Sequence, residues 1–489
     1  MKTPQNPHVV ILPFPAQGHV KPMLNLAMLL SNAGIRITFV TSKAVLDPLV
    51  QQINLTSFRT RFPSFQFNSL SDGFPTKITR ESYASVSLLL VDVFDTIAKV
   101  TPRLFRELIA SLCDDEDGDE SSRPTCVIAD GIMSFAIEVG DEFGIPVISF
   151  RTYSATCTWV YFHLQKLVDQ RFIPFQQGEF DCPITCIPGL ENKIRLRDLP
   201  SVCRQRNSEE NTMLQFYMDQ ASAMSKASAL ILNTFNELEP DSISQLGSVF
   251  PNVYAIGPLQ SLSREIIPNL DSVSSDGTLW KKDRSCMAWL DRQQPKSVLY
   301  ISFGSFLTLT RDQRLEFWHG IVNSKKPFLW VTRSGSILDA SDSNNVPAEL
   351  VTATSERGLI VNWVPQEEVL AHAAIGGFLT HCGWNSTLEG ITAGVGMIGW
   401  PGLADQQVNS RCIEEIWKVG IDIKDMCDRA RVENGVRRLM DGSDQEMVDR
   451  LNELRRLARQ SLAIGGSSFG NLKRLIEDMS KMSSKIYQD

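Results

Sequence analysis

The side chains suited to proton transfer near neutral pH are few, because the chain has only six His. They are His8, His19, His163, His319, His372 and His381. His19 follows the apolar run Val9 to Leu12 and the turn Pro13 to Gly18 (PFPAQG). It heads a stretch that carries Met23, Leu24, Ala27 and Leu30 on one helical face. An imidazole there faces the ligand end of an α/β sheet and titrates near working pH, so it suits a general base. It equally suits an ordinary first-turn residue. Asp130 closes the run Thr125 to Ala129 (TCVIA) and precedes Gly131. A carboxylate there can accept the imidazole's other N–H, fixing its tautomer and balancing the imidazolium. It can also cap the next helix, which the sequence alone favours.

A second cluster lies in Gly376 to Ser386 (GGFLTHCGWNS), which reads as strand, turn and helix start. Gly383 permits close backbone approach, and Asn385 and Ser386 offer donors beside the free N–H groups of a helix's first turn. Such a terminus favours anions, phosphate above all. His381 can add a donor or a charge. Ser302 to Ser305 (SFGS) is a similar turn that can hold the same phosphates. The chain has no G-x-x-x-x-G-K-[ST], and its first turn does not spell G-x-G-x-x-G, which disfavours a P-loop NTPase and a dinucleotide oxidoreductase.

The elements that must position these groups alternate between short apolar runs and helix-length amphipathic segments. In the first half the runs are Val9 to Leu12, Ile35 to Val40, Thr125 to Ala129, Pro146 to Phe150 and Ala229 to Leu232. In the second they are Ser297 to Phe303, Pro327 to Val331, Leu359 to Asn362, Ile375 to Leu379 and Met397 to Trp400. The alternation predicts two α/β domains, each a parallel sheet covered on both faces. Gln260 to Leu279, with five Ser and no period, reads as the linker. The predicted division is 1–259, a linker 260–279, 280–470, and a last helix 471–489 crossing back to the first domain. Ligands of open α/β sheets bind at the carboxyl ends of the strands, where the unusual residues of both halves fall. A cleft between two such sheets suits a two-reactant transfer.

Composition excludes several classes. Across 489 residues, 48 Lys+Arg against 56 Asp+Glu leave a net charge of −8, which argues against a nucleic-acid binder. No apolar stretch approaches 18 residues, so no membrane span is expected. The opening MKTPQNPHVV does not read as a signal peptide, and the ten scattered Cys suit a reducing compartment, so a cytoplasmic location is expected. Cys182 and Cys186 lack the second pair a zinc site needs, and no metal is expected. Asp115-Glu116-Asp117, a D-x-D of the kind that binds metal in some sugar transferases, sits in an acidic run that reads as a solvated loop.

The 44 residues from Trp363 to Gln406 resemble the signature box of plant family-1 UDP-sugar glycosyltransferases. Trp363, Pro365-Gln366, His372, the HCGWNS core, Glu389, Trp400-Pro401 and Asp405-Gln406 stand at its anchor positions. PFPAQGH, Asn233-Thr234-Phe235, Glu237-Leu238-Glu239 and Ile256-Gly257-Pro258 extend the likeness along the chain. The resemblance implies a GT-B fold, two Rossmann-like domains facing across a cleft. It implies uracil stacked on Trp363 with Val364 beside it, ribose held by Gln366 and Glu389, and the diphosphate held by Ser305, His381, Gly383, Asn385 and Ser386. It implies a sugar held by Asp405 and Gln406, with Trp384 against it and Thr152 at its 6-hydroxyl. Gln406 points to UDP-glucose as the co-substrate. His19 becomes the base and Asp130 its partner.

Trp400 and His372 read as packing residues, and Glu367 and Glu368 as a solvated helix face. Three positions depart from the family pattern. Gly396 and Gly402 stand where Pro and a larger residue are usual, which predicts a loosened loop before Asp405. Arg151 stands where Trp is common, and reads either as a partner for an acidic acceptor or as half of an internal ion pair. Phe150-Arg151-Thr152, Ala404 to Arg411 and Cys427-Asp428-Arg429 are similar to a subgroup that glycosylates terpenoids such as iridoids. The expected protein is a monomeric inverting glucosyltransferase acting on a small lipophilic acceptor, with Phe14, Phe150, Phe162 and Arg151 as acceptor walls. The alternatives are a non-catalytic sugar-nucleotide binder and a Rossmann oxidoreductase.

Overall fold

A run such as Val9 to Leu12 offers solvent no polar face, so it is stable only when covered on both sides. The structure, a computed structural model, describes residues 6–70, 86–114, 123–175, 177–204, 208–270, 278–280, 282–307, 309–332, 347–442 and 444–486. In it that run belongs to β1 (His8–Leu12), which is buried throughout. With β2 (Arg36–Ser42), β3 (Phe65–Leu70), β4 (Cys126–Asp130), β5 (Val147–Arg151), β6 (Ala229–Leu232) and β7 (Val253–Ala255) it forms a sheet of order β3-β2-β1-β4-β5-β6-β7. The second sheet has the order β10-β9-β8-β11-β12-β13. Its strands are β8 (Val298–Ser302), β9 (Phe328–Val331), β10 (Gly358–Val361), β11 (Ile375–Thr380), β12 (Met397–Gly399) and β13 (Gly420–Asp422). All the strand pairings are parallel. The chain is a GT-B fold of two Rossmann-like domains.

Each sheet reverses its winding once, between β1 and β4 and between β8 and β11. The connections leave in opposite directions there, so a crevice opens at the strands' carboxyl ends. His19 and Asp130 follow or end the first pair, and Ser302 to Ser305 and His381 to Ser386 follow the second.

The strands that the apolar runs do not reveal are β3, β7 and β13. All three lie at sheet edges, and β3 (FQFNSL) is buried only at its two ends. An edge strand needs one covered face, so its sequence is mixed. Part of the expected linker is also ordered. Leu259–Ile266 is a helix whose Leu259 and Leu262 pack into the first domain's core. The three-residue spacing of those leucines gives one apolar face, which Ser and Arg neighbours obscure in the sequence. The helix Ser467–Ile486 buries Leu472, Leu475 and Met479 in the same core. Its Asn471 and Asp478 bond Ala255 O at 2.9 Å and the Tyr254 hydroxyl at 2.8 Å.

The two domains also meet through a buried charge cluster. Lys424 Nζ lies 2.5 Å from Asp198 Oδ1 and 2.8 Å from Asp422 Oδ2, and Arg195 reaches Asp198 at 2.9 Å. Burial alone would raise the Asp198 carboxyl, but Lys424 and Arg195 outweigh it and hold the group below the usual carboxylate range. Its stabilising share is therefore present above the unfolded carboxyl's titration and lost as pH falls through the folded one. Lys424→Met should cost about 3 kcal/mol, because it strands two buried carboxylates while Arg195 still faces one. A thermal midpoint within a degree of wild type at pH 7 would contradict this.

Candidate active site

The turn after β1 leads into the helix Gln17–Asn32, so His19 stands in its first turn. Asp130 ends β4, the strand hydrogen-bonded to β1. Neighbouring parallel strands bring the two together: His19 Nδ1 is 2.7 Å from Asp130 Oδ2. Asp130 is 1% exposed, and its other oxygen accepts the Ile132 N–H at 3.0 Å. This contact suits the tautomer that donates from Nδ1 to the carboxylate and leaves the Nε2 lone pair open. Thr152 sets its Oγ1 2.9 Å from the same Nδ1, and so holds the ring while also lining the cleft.

Across the cleft, Gly383 precedes the helix Trp384–Ala393 and offers no side-chain cap. The first-turn N–H groups are left for an anion. The helix Ala155–Phe162 shows the contrast, since Glu239 fills its N-terminus by accepting from Ala155 N and Thr156 N, each at 2.9 Å. His381 borders the cleft. Loss of solvent lowers it to about 4, so it is a neutral donor at pH 7 and adds no charge. Gly304, at φ +70°, lets its loop lie against that ring; a Cβ there would come within 2.3 Å of His381 Nε2. Ser305, Trp363 and Val364 also line the cavity.

Gln366 ties together three other residues of the cleft. Its Nε2 donates to Ser386 Oγ at 2.9 Å and to Glu389 Oε2 at 2.5 Å, while its Oε1 accepts the Tyr300 hydroxyl at 2.8 Å. Burial pushes the Glu389 carboxyl up, and Lys21, 2.9 Å away, opposes that. Asn385 spends its Nδ2 on Gly18 O at 2.9 Å, a bond across the cleft.

Trp384 also lines the cavity, with its indole N–H anchored to Asn233 O at 2.7 Å. Gln406 Oε1 accepts the N–H groups of Gly402 and Leu403, each at 2.9 Å, leaving only its Nε2 for a ligand. The loop before Asp405 is therefore held, contrary to expectation. Leu307 and Leu439 fill the space at Gly402 and Gly396, where a Cβ would come within 2.3 and 2.6 Å. Asp405 accepts from Asn409 Nδ2 at 2.6 Å. Burial pushes its carboxyl up to about 6, with Asn409 opposing. It ionises as pH rises through that value, and the ionised form accepts sugar hydroxyls better. UDP-glucose affinity should therefore rise about tenfold from pH 5 to pH 7. Calorimetry on Asp405→Asn, which lacks the titration, should show no such rise; a slope as steep as wild type would remove Asp405 from the sugar site.

The acceptor wall needs correction. Phe14 lines the cleft, its ring 4.9 Å from that of His19. Phe150 does not; it is fully buried with Ile11, Ile148 and Ile231, because alternate residues of β5 face opposite sides of the sheet. Phe162 packs on Phe250, away from the cavity. Arg151 is buried one layer behind the cleft, and no carboxylate pairs with it among the described residues. Glu367 is not a solvated residue; it bridges Lys21 and Arg264 of the other domain. Trp400 packs between Phe303 and Phe317, and His372 bonds Asp291 at 3.1 Å.

Sequence reasoning missed Lys21, Tyr153, Tyr217 and Trp280. The first three line the cavity, and the Trp280 ring lies 4.8 Å from that of Trp363. A lone charged residue early in a largely apolar helix was the available signal for Lys21. Asp115-Glu116-Asp117 lies outside the described residues. Among those described, no three His, Cys, Asp or Glu gather as a metal set.

A helix N-terminus without a side-chain cap on one lip and a His–Asp pair on the other, across two Rossmann-like domains, fit a two-domain nucleotide-sugar transferase. The chain belongs to the UDP-glucoronosyl and UDP-glucosyl transferase family, whose model matches residues 11–457. It is 44% identical to 7-deoxyloganetic acid glucosyltransferase of Catharanthus roseus, over 96% of this chain and 97% of that one. It is 39% identical to 7-deoxyloganetin glucosyltransferase of the same plant, over 97% and 96%. Among solved structures, Medicago truncatula UGT71G1 complexed with UDP-glucose matches with a TM-score of 0.80 and 26% identity, over 97% of this chain and 98% of that one. The protein is a UDP-dependent glycosyltransferase. Among the described residues, no helix is long and apolar enough to cross a membrane.

Proposed function

We propose that this enzyme transfers glucose from UDP-glucose to a hydroxyl of a small terpenoid of the iridoid type, with inversion, giving a β-glucoside. The observation that carries the reading is the His19–Asp130 pair opening on the same cleft as Trp363, Gln366, Glu389 and Asp405. The relatives named for 7-deoxyloganetic acid and 7-deoxyloganetin support the acceptor class. Gln406 supports glucose as the sugar.

His19 Nε2 takes the acceptor's hydroxyl proton as that oxygen attacks the anomeric carbon, and Asp130 balances the imidazolium. UDP leaves from the opposite face. Its growing charge is met by the N–H groups that open Trp384–Ala393 and by neutral His381. Trp363 carries the uracil, Gln366 and Glu389 the ribose, and Ser305 and Ser386 the phosphates. Protein donors serve the diphosphate, so the reading includes no metal. The enzyme acts as a monomer in the cytoplasm.

The test incubates the protein with UDP-glucose and a panel of terpenoid, phenolic and flavonoid aglycones, read by mass. The expected result is a gain of one hexose with stoichiometric UDP release, strongest on a terpenoid and unchanged by EDTA. No hexose gain on any acceptor would overturn the reading. Strict Mg²⁺ dependence would reassign the diphosphate to a metal held by Asp115-Glu116-Asp117.

A further inference from the structure

Side chains alternate along β5, so Phe150 enters one core layer and Arg151 the other, toward the helix Ser208–Met224. Gly131 makes room for it, since a Cβ there would lie 2.8 Å from the Arg151 Cδ and Nε. The guanidinium is 1% exposed, and its Nε, Nη1 and Nη2 all lack a hydrogen-bond partner among the described residues. Its neighbours are aromatic. The carbon of the guanidinium lies 5.2 Å from the Tyr153 ring centre and 5.9 Å from that of Tyr161. The Tyr161 hydroxyl is likewise buried without a partner among the described residues. Tyr217 stacks on Tyr161 with ring centres 5.0 Å apart.

A buried cation whose donors all go unused is costly, and ring faces return only part of what water supplied. The nearby carboxylates are committed elsewhere: Asp130 to His19 and Ile132, and Asp405 to Asn409. The arrangement is thus complementary to a negative charge brought from outside. The way in is the cleft, because Tyr153 and Tyr217 line it and the Tyr153 ring stands 5.8 Å from that of His19. Burial pushes both phenols up, so they stay protonated donors.

We propose that Arg151, Tyr153, Tyr161 and Tyr217 form an anion subsite that selects acceptors carrying a carboxylate beside the reactive hydroxyl. The Tyr153 and Tyr217 hydroxyls touch the carboxylate, and Arg151 supplies the countercharge from behind. The carboxylate is a bystander that keeps its charge, and the hydroxyl at His19 is the nucleophile. Arg151 is accordingly a specificity residue acting through the tyrosines. This rests on the glucosyl-transfer reading for its biological meaning, but it is testable by binding alone.

The probes are a cyclopentane-fused terpenoid hydroxy acid and its methyl ester, titrated calorimetrically into the UDP-bound enzyme and assayed separately for transfer. In wild type the acid should bind at least tenfold more tightly than the ester. Arg151→Met should erase that ratio, Arg151→Lys should restore part of it, and Tyr153→Phe should reduce it. In transfer assays the Arg151→Met loss on the acid should appear in KM rather than kcat. An unchanged UDP affinity and thermal midpoint would show that each variant is folded. A wild-type ratio near one, failure of both probes to bind at millimolar concentration, or an equal loss on both probes in Arg151→Met would overturn the subsite. Binding that follows Arg151 without any transfer would keep the subsite and sink the glucosyl-transfer reading instead.

Discussion

Replacing His19 with alanine should lower kcat on an alcohol acceptor by about 10²–10⁴-fold, the usual worth of a positioned base. The structure gives the reason. Nδ1 is committed to Asp130 at 2.7 Å and Thr152 at 2.9 Å, so the ring has one open nitrogen, and the ring lines the cleft. The effect should depend on the nucleophile. Where the attacking group is itself a carboxylate, already ionised, no proton needs removing and the loss should be small. Initial rates of His19→Ala on an alcohol and on an acid that is esterified through its carboxylate separate the cases. Equal losses on both would mean that the imidazole positions the acceptor and does not take its proton. UDP affinity should change little, because His19 belongs to the opposite lip.

Asp130→Asn should cost nearly as much, about 10²–10⁴-fold in kcat. The amide is nearly isosteric with the carboxylate but neutral, and it can hold the ring in the wrong tautomer. The charge matters more here than in most such pairs. His19 sits in the first turn of a helix, where the dipole disfavours a cation, so the imidazolium formed in the transition state depends on the carboxylate. The two residues act as one unit, and the double variant His19→Ala with Asp130→Asn should be no slower than His19→Ala alone. Multiplying losses would mean that Asp130 has a separate task. The KM for UDP-glucose should stay within about threefold, since neither hydrogen bond touches the donor's side.

The candidate donor site could be read from the sequence because most of its parts are contiguous. From β11 through the turn to the helix Trp384–Ala393, strand, turn and helix start follow one another, so residue types at fixed spacing imply their own geometry. His19 and Asp130, 111 residues apart, were legible as candidates, the family resemblance suggested their pairing, and the structure brings them within 2.7 Å. Both lie just past apolar strands, and parallel sheets bring the carboxyl ends of such strands to one rim. The acceptor wall was not legible. Phe14 and Phe150 look alike in the sequence, but Phe14 stands in the turn after β1 at the cleft, whereas Phe150 points from β5 into the core. Glu367 looks like a solvated residue of a polar helix until Lys21 and Arg264 arrive from the other domain.

Taken alone, the sequence determined the two parallel sheets and the family, because these depend on apolar runs and on motifs of fixed spacing, and it offered His19, Asp130 and the turn before Trp384 as candidate site groups. The tertiary structure decided what surrounds those groups. It placed Lys21 against Glu389, 368 residues away, and closed the domains on Asp198 and Lys424. It left Arg151 among tyrosines, with no carboxylate partner among the described residues. The physical reason is range. Backbone periodicity is local, whereas the partner of a buried charge is set by which elements the packing brings together, and no short segment of sequence records that.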